Sequence, residues 1–167
     1  GYTASEILKG GFKIDYKVEM TLNSDNPSSI AKSMGLGTIL FSDAYEFLKP
    51  DLVVVLGDRY EIFAATQTAM ICQIPIAHVH GGELTYGAID EAMRHSMTKM
   101  AHIHFPAAKD YRNRIIQLGE NPKSVFNFGT LGVQNILNTK FLSKKELQNK
   151  LDFNLDNPYA LVTYHPV

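Results

Sequence analysis

Gly57-Asp58-Arg59 follows an apolar run, and His78-Val79-His80-Gly81-Gly82-Glu83 closes the next one. Ile89-Asp90-Glu91-Ala92-Met93-Arg94-His95 comes shortly after, with helical spacing. Five of the six histidines lie between His78 and His104, and the sixth, His165, is almost the last residue. Carboxylates and imidazoles can move protons, and arginines can hold an anion. Solvated residues scattered over a surface rarely cluster in this way, so the stretch reads as a site.

Several residues have more than one reading. Asp58 fits a general base, a ligand of a sugar hydroxyl, or a helix cap. Asp90 and Arg94 stand four apart on one helical face, as do Glu91 and His95 on a neighbouring face. Each couple is either a surface ion pair, worth roughly 0.3–0.5 kcal/mol, or part of a site. His78 and His80 alternate along a strand, so their side chains are expected on one face. With Glu83 and Asp58 they could ligate a divalent metal. Hydrogen bonding or acid–base work is the favoured reading. His102 and His104 flank a buried strand and read as structural. His165, ahead of Pro166 at the end of an apolar strand, reads as ligand-facing.

The elements that position these groups follow from periodicity. Apolar residues at helical spacing over 29–48, with Pro27 before and Pro50 after, predict a helix, although Gly35 and Gly37 lie inside it. The continuous apolar run over 51–56 predicts a strand buried on both faces. Helices are expected over 60–72, 88–101 and 109–118, and from 133. Strands are expected over 74–79, 103–105, 124–128 and 159–164. Residues 10–18 suggest a turn and a strand, and Ser143-Lys144-Lys145-Glu146 suggests a capping box. Short buried strands alternating with helices predict a doubly wound, Rossmann-like parallel α/β sheet. In such sheets ligands bind beyond the carboxyl ends of the strands, and Asp58, Arg59, His78, His80, Glu83, Thr130 and His165 all fall there. Gly57, Gly81, Gly82 and Gly129 allow close backbone approach, and the helices that follow suit a phosphate.

Composition narrows the partners. A net charge of −1 over 167 residues gives no reason to propose nucleic acid or an anionic membrane. No run is long enough to span a bilayer, and no leader opens the chain. The single cysteine, Cys72, excludes an internal disulfide and fits a cytoplasmic setting. Its place in Ala69-Met70-Ile71-Cys72 predicts a buried, inert thiol. A start without Met and an end on a strand suggest a cut chain. Residues 1–150 are expected to form one domain without its first strand. Residues 151–167 would be a linker and the opening strand of a second domain.

Leu56-Gly57-Asp58-Arg59-Tyr60-Glu61, His78-Val79-His80-Gly81-Gly82-Glu83, Gly87-Ala88-Ile89-Asp90-Glu91-Ala92-Met93-Arg94-His95 and Leu161-Val162-Thr163-Tyr164-His165-Pro166-Val167 resemble the hydrolysing UDP-N-acetylglucosamine 2-epimerases. The likeness is to the bacterial branch serving sialic and related nonulosonic acids, and it runs over essentially the whole chain. It implies one half of a glycosyltransferase-B-like enzyme with two Rossmann-like domains and a site in the cleft between them. The implied reaction converts UDP-N-acetylglucosamine and water to N-acetylmannosamine and UDP. UDP is eliminated to a 2-acetamidoglucal, which is then hydrated. A close variant acts on UDP-N,N′-diacetylbacillosamine.

By motif position Asp58 and Asp90 match catalytic carboxylates, Arg59 and Arg94 match neighbouring arginines, and His165 matches a histidine near the leaving group. His78, Gly81 and Gly82 join the substrate-binding set. Where many relatives carry a glutamate two residues after the strand-end histidine, this chain has His80, with Glu83 three residues later. Either could carry the proton. The resemblance implies no metal or other cofactor, a UDP-sugar as partner, and a homo-oligomer, dimer or tetramer, paired through the helices near 29 and 88. The implied fragment is incomplete for catalysis. A metal-dependent hydrolase and a non-catalytic nucleotide-sugar-binding domain are the alternatives.

Overall fold

Local sequence signals account for the longest helix. In the computed structural model, which describes residues 4–164, Asn26 Oδ1 accepts from Ser29 N at 2.9 Å and opens a helix at Pro27. Proline suits the first helical turn because its missing N–H would have no partner there. The helix runs unbroken over Pro27–Leu48, through Gly35 and Gly37, and ends where Lys49 turns left-handed before Pro50. A short helix, Ala4–Lys9, precedes it, and we name the two α1 and α2. The chain then alternates: β1 (Val53–Leu56), α3 (Tyr60–Ile71), β2 (Ile76–Val79), α4 (Ile89–Met100), β3 (Ile103–Phe105) and α5 (Lys109–Gln117). Two further helices, α6 (Leu131–Asn138) and α7 (Lys144–Leu151), follow.

The three strands pair in parallel in the order β1-β2-β3, with Val55 opposite His78 and His78 opposite His104. This is the expected parallel α/β architecture. Val55 and Ile76 pack with Tyr45 of α2, Ala69 of α3 and Ala101, flanked by Phe41, Ile62 and Met100. The chain forms two compact units that divide between Thr130 and Leu131. In the second unit, Ser143 and Glu146 form the expected capping box: Ser143 N donates to Glu146 Oε2 at 2.8 Å, and Glu146 N to Ser143 Oγ at 3.3 Å.

Five expectations are corrected. β1 is buried on one face only: Val55 is 5% exposed while Val54 is 64% exposed, because the helical layer packs on the Val53–Val55 side. Residues 124–128 form no strand beyond a single bridge from Val125 to His104. A helical turn at Pro122–Ser124 precedes them, and Gly129 N turns back to Asn127 Oδ1 at 3.1 Å, so the backbone leaves the ladder. Residues 159–164 are not a strand; Leu161 and Val162 lie exposed, and a strand needs a paired neighbour. Residues 10–18 contain the turn but no strand. Cys72 is exposed, because only Ala69 of its run faces the core while Met70 and Ile71 point outward.

Candidate active site

Parallel pairing brings the carboxyl ends of all three strands to one edge. Gly57 N donates to Val79 O at 3.1 Å, and His80 N donates to Phe105 O at 3.0 Å, lacing the strand ends together. Gly57 turns at φ 86 with open space around its α-carbon, and Asp58 follows it. Arg94 arrives from α4 and forms an ion pair with Asp58 Oδ2. The same Nη2 donates to Thr85 Oγ1 at 2.8 Å. Arg94 is buried, and its Nη1 has no hydrogen-bond partner among the described residues. Of the two readings of Asp90 and Arg94, the ion pair is not formed among the described residues; Arg94 turns inward to Asp58.

His80 and Glu83 form a second pair, with Nδ1 2.7 Å from Oε1. Leu56, Gly57, Asp58, His80, Glu83 and Arg94 line one cavity of about 270 Å³, close to the roughly 300 Å³ lower end for ligand pockets. The expectation that His78 and His80 share a face is overturned. β2 ends at Val79, and His80 sits at φ 65, outside strand geometry.

His78 is fully buried and does not line the cavity. Its Nε2–H donates to Gly57 O at 2.9 Å, and Thr98 Oγ1 lies 3.4 Å from Nδ1. Burial pushes its pKa down to about 4, so the ring is neutral at pH 7 and its visible work is to brace the Gly57 turn. Gly81 lies against this ring: a β-carbon there would meet His78 Nδ1 at 3.0 Å. Gly82, at φ 78, packs against the backbone of Tyr111, and its carbonyl accepts from Arg114.

The other expected residues lie apart from this cavity. Arg59 is exposed, pairs with Glu61 at 3.3 Å, and sits 5.7 Å from the Tyr60 ring centroid. Asp90 is half-buried at the start of α4. Glu91 and His95 line a neighbouring cavity with Thr85 and Tyr86, and burial lowers the pKa of His95. His102 Nδ1 accepts from Ile76 N at 3.3 Å, and buried His104 lies 3.3 Å from Glu120, as structural histidines. His165 lies outside the described residues. No group of three or more His, Cys, Asp or Glu is placed to hold a metal among the described residues, which removes the support for the metal-hydrolase alternative.

Thr85 was not foreseen. Its hydroxyl accepts from Arg94 Nη2 and its N–H donates to Glu91 Oε2 at 2.8 Å, tying the turn after β2 to α4. No motif or spacing in the sequence singles it out.

A family model described as UDP-N-acetylglucosamine 2-epimerase matches residues 2–167. A GDP/UDP-N,N′-diacetylbacillosamine 2-epimerase (hydrolyzing) of Campylobacter jejuni is 48% identical over the whole chain, which covers 43% of that protein. The polysialic acid biosynthesis protein P7 of Escherichia coli is 40% identical over 99% of the chain and 42% of its own length. The chain thus spans less than half the length of these curated relatives. The crystal structure of a UDP-GlcNAc 2-epimerase from Neisseria meningitidis bound to UDP-GlcNAc superposes with a TM-score of 0.72 at 22% identity, over 90% of this chain and 42% of that one. One from Methanocaldococcus jannaschii, in complex with UDP-GlcNAc and UDP, gives 0.70 at 20% identity, over 78% and 36%. The fold agrees across these structures, and the sequence match runs the length of the chain: it belongs to the UDP-N-acetylglucosamine 2-epimerase family.

Proposed function

We propose that this chain supplies one wall of the site of a hydrolysing 2-epimerase of UDP-linked 2-acetamido sugars. Residues 1–150 would form its N-terminal domain and 151–167 the passage to the next. The observation that carries the reading is the cavity at the strand ends, where an ion-paired Arg94 and the His80–Glu83 pair face one space. Leaving-group departure needs a cation nearby, and Arg94 lines the cavity. Removing the sugar C2 proton needs a base, and returning a proton to C2 needs an acid. His80, Glu83 and Asp90 are the candidates for these roles, with Asp58 holding Arg94 and Arg59 and His165 near the leaving group.

Sequence identity favours a particular substrate. The relatives named for diacetylbacillosamine are 48% and 35% identical, the polysialic acid biosynthesis protein 40%, and a UDP-N-acetylglucosamine 2-epimerase of Neisseria meningitidis 25%, so the most identical of these four is a diacetylbacillosamine enzyme. UDP-N,N′-diacetylbacillosamine is therefore the first substrate to test and UDP-N-acetylglucosamine the second, both on routes to nonulosonic or sialic acids. Among the described residues no helix is long and apolar enough to cross a membrane. We propose a cytoplasmic homo-oligomer that needs no metal.

The deciding experiment incubates the full-length protein with each UDP-sugar in deuterium oxide. UDP release with deuterium at C2 of the 2-epimeric product is expected. Binding of UDP without its release from either sugar would instead support a non-catalytic binding domain. Product without deuterium at C2 would refute elimination and rehydration.

A further inference from the structure

We infer that Glu83 is a positioning residue that acts through His80, so that the imidazole and not the carboxylate takes the proton. The inference rests on the epimerase reading above and assigns the base within it. His80 Nδ1 lies 2.7 Å from Glu83 Oε1, and the two side chains are 28% and 29% exposed. A carboxylate can only accept, so the ring must present Nδ1–H to it. The lone pair is then on Nε2, for which the described residues offer no hydrogen-bond partner. A carboxylate that fixes a histidine tautomer and then steadies the imidazolium turns a passive ring into a directed base.

The backbone supports the same assignment. His80 is held at φ 65, a left-handed conformation that costs a non-glycine residue energy. Two constraints maintain it: His80 N donates to Phe105 O at 3.0 Å, and the Glu83 contact holds the ring. A chain needing only a turn here would do better with glycine, as at Gly81 and Gly82 next to it. The charged groups facing the pair across the cavity are Asp58, after β1, and Arg94, on α4. They pair with one another, and the contact to the imidazole comes from Glu83.

The step balances. The C2–H bond breaks and its proton goes to His80 Nε2. The C–H electrons form the C1=C2 double bond of the glycal, and the C1–O bond breaks with its electron pair leaving on UDP. Glu83 keeps its charge throughout and offsets the imidazolium.

Two readouts on the full-length protein test this. Histidine-selective nitrogen NMR should show His80 as the Nδ1–H tautomer, with Glu83→Ala redistributing it toward Nε2–H. In turnover, Glu83→Ala should lower kcat by about 10–100-fold with little change in KM. His80→Gly fits the left-handed backbone, should lose about 100-fold or more, and should regain activity with added imidazole. Glu83→Ala placed on His80→Gly should cost almost nothing further, because its partner is already absent. An unchanged tautomer in Glu83→Ala, or a fully additive double variant, overturns the proposal. If the unaltered protein releases no UDP from either UDP-sugar while the tautomer still depends on Glu83, the epimerase reading fails, and the pair's catalytic use fails with it.

Discussion

Asp58→Asn and Asp90→Asn should both abolish UDP release, and only the first should weaken the fold. Asp58 faces an Arg94 that is 5% exposed, so removing the carboxylate charge strands a guanidinium away from water. At an effective dielectric of about 20 and a charge separation of roughly 4 Å, the attraction is about 4 kcal/mol, partly offset by desolvation. Breaking one side of a buried pair typically costs about 3–5 kcal/mol. Asparagine keeps an oxygen for Arg94 Nη2, and Thr85 keeps its own bond at 2.8 Å, so the loss should fall to about 2–3 kcal/mol. Asp90 is half-buried at the head of α4, where an acid contributes only about 0.3–1 kcal/mol through the helix dipole. Thermal melts of the full-length variants, at about 2–4 °C per kcal/mol for a domain of roughly 150–250 residues, should show a drop of several degrees for Asp58→Asn and little for Asp90→Asn. Replacing both partners by apolar residues, Asp58→Leu with Arg94→Met, should recover much of the loss. Equal melting temperatures for the two single variants would refute the claim that the Asp58–Arg94 pair is a buried support.

Acid should destabilise the protein through His78. Its folded pKa of about 4 lies below the unfolded value near 6.5, so the unfolded state binds the extra proton first. Its contribution is full above about pH 6.5 and fades toward pH 4, up to about 3 kcal/mol, and burial of His104 and His95 adds the same sign. Denaturant midpoints at pH 7 and pH 5 should fall accordingly, with His78→Gln flattening the slope; an equal slope in that variant would refute the attribution. Gly82→Ala should cost about 2–4 kcal/mol, since its β-carbon meets the Tyr111 backbone at φ 78. Gly57→Ala, with open space at φ 86, should cost only about 1–2 kcal/mol. Comparable melts for these two would contradict the packing described.

The helices from α2 onward and the three paired strands were legible because each rests on a local cause: the Asn26 and Pro27 start of α2, the apolar runs of β1 and β2, and the Ser143 capping box; α1 was not read. Elements that depend on a partner were not. Residues 159–164 have the composition of a strand, yet among the described residues nothing pairs with them. Cys72 sits in an apolar run, but a helix shows only one stripe to the core, and Cys72 falls off it. The same divide runs through the site. Motif spacing named Asp58, Arg94, His80 and Glu83, while their pairing is a tertiary fact. Spacing left Asp90 and Arg94, four residues apart on one helix, as either an ion pair or parts of a site. The structure chose Asp58, thirty-six positions back, because β1 delivers it to the inner face of α4.

That choice bears on how the chemistry is divided. A carboxylate engaged by a buried guanidinium is a poor vehicle for a shuttled proton, because each transfer breaks the pair and leaves the cation without its partner. Asp58 is better used in holding Arg94 in place at the edge of the cavity, where its charge can offset a developing negative charge. Proton traffic then falls to groups that lose less on changing charge. His80 is one, because Glu83 stands beside it to compensate. A histidine at this position therefore has a physical rationale: next to Arg94 and Asp58, which pair with one another, an imidazole backed by a carboxylate would bring a base into the cavity. On the proposed epimerase reading, the two pairs, one fixed in charge and one able to exchange a proton, would separate leaving-group stabilisation from proton transfer.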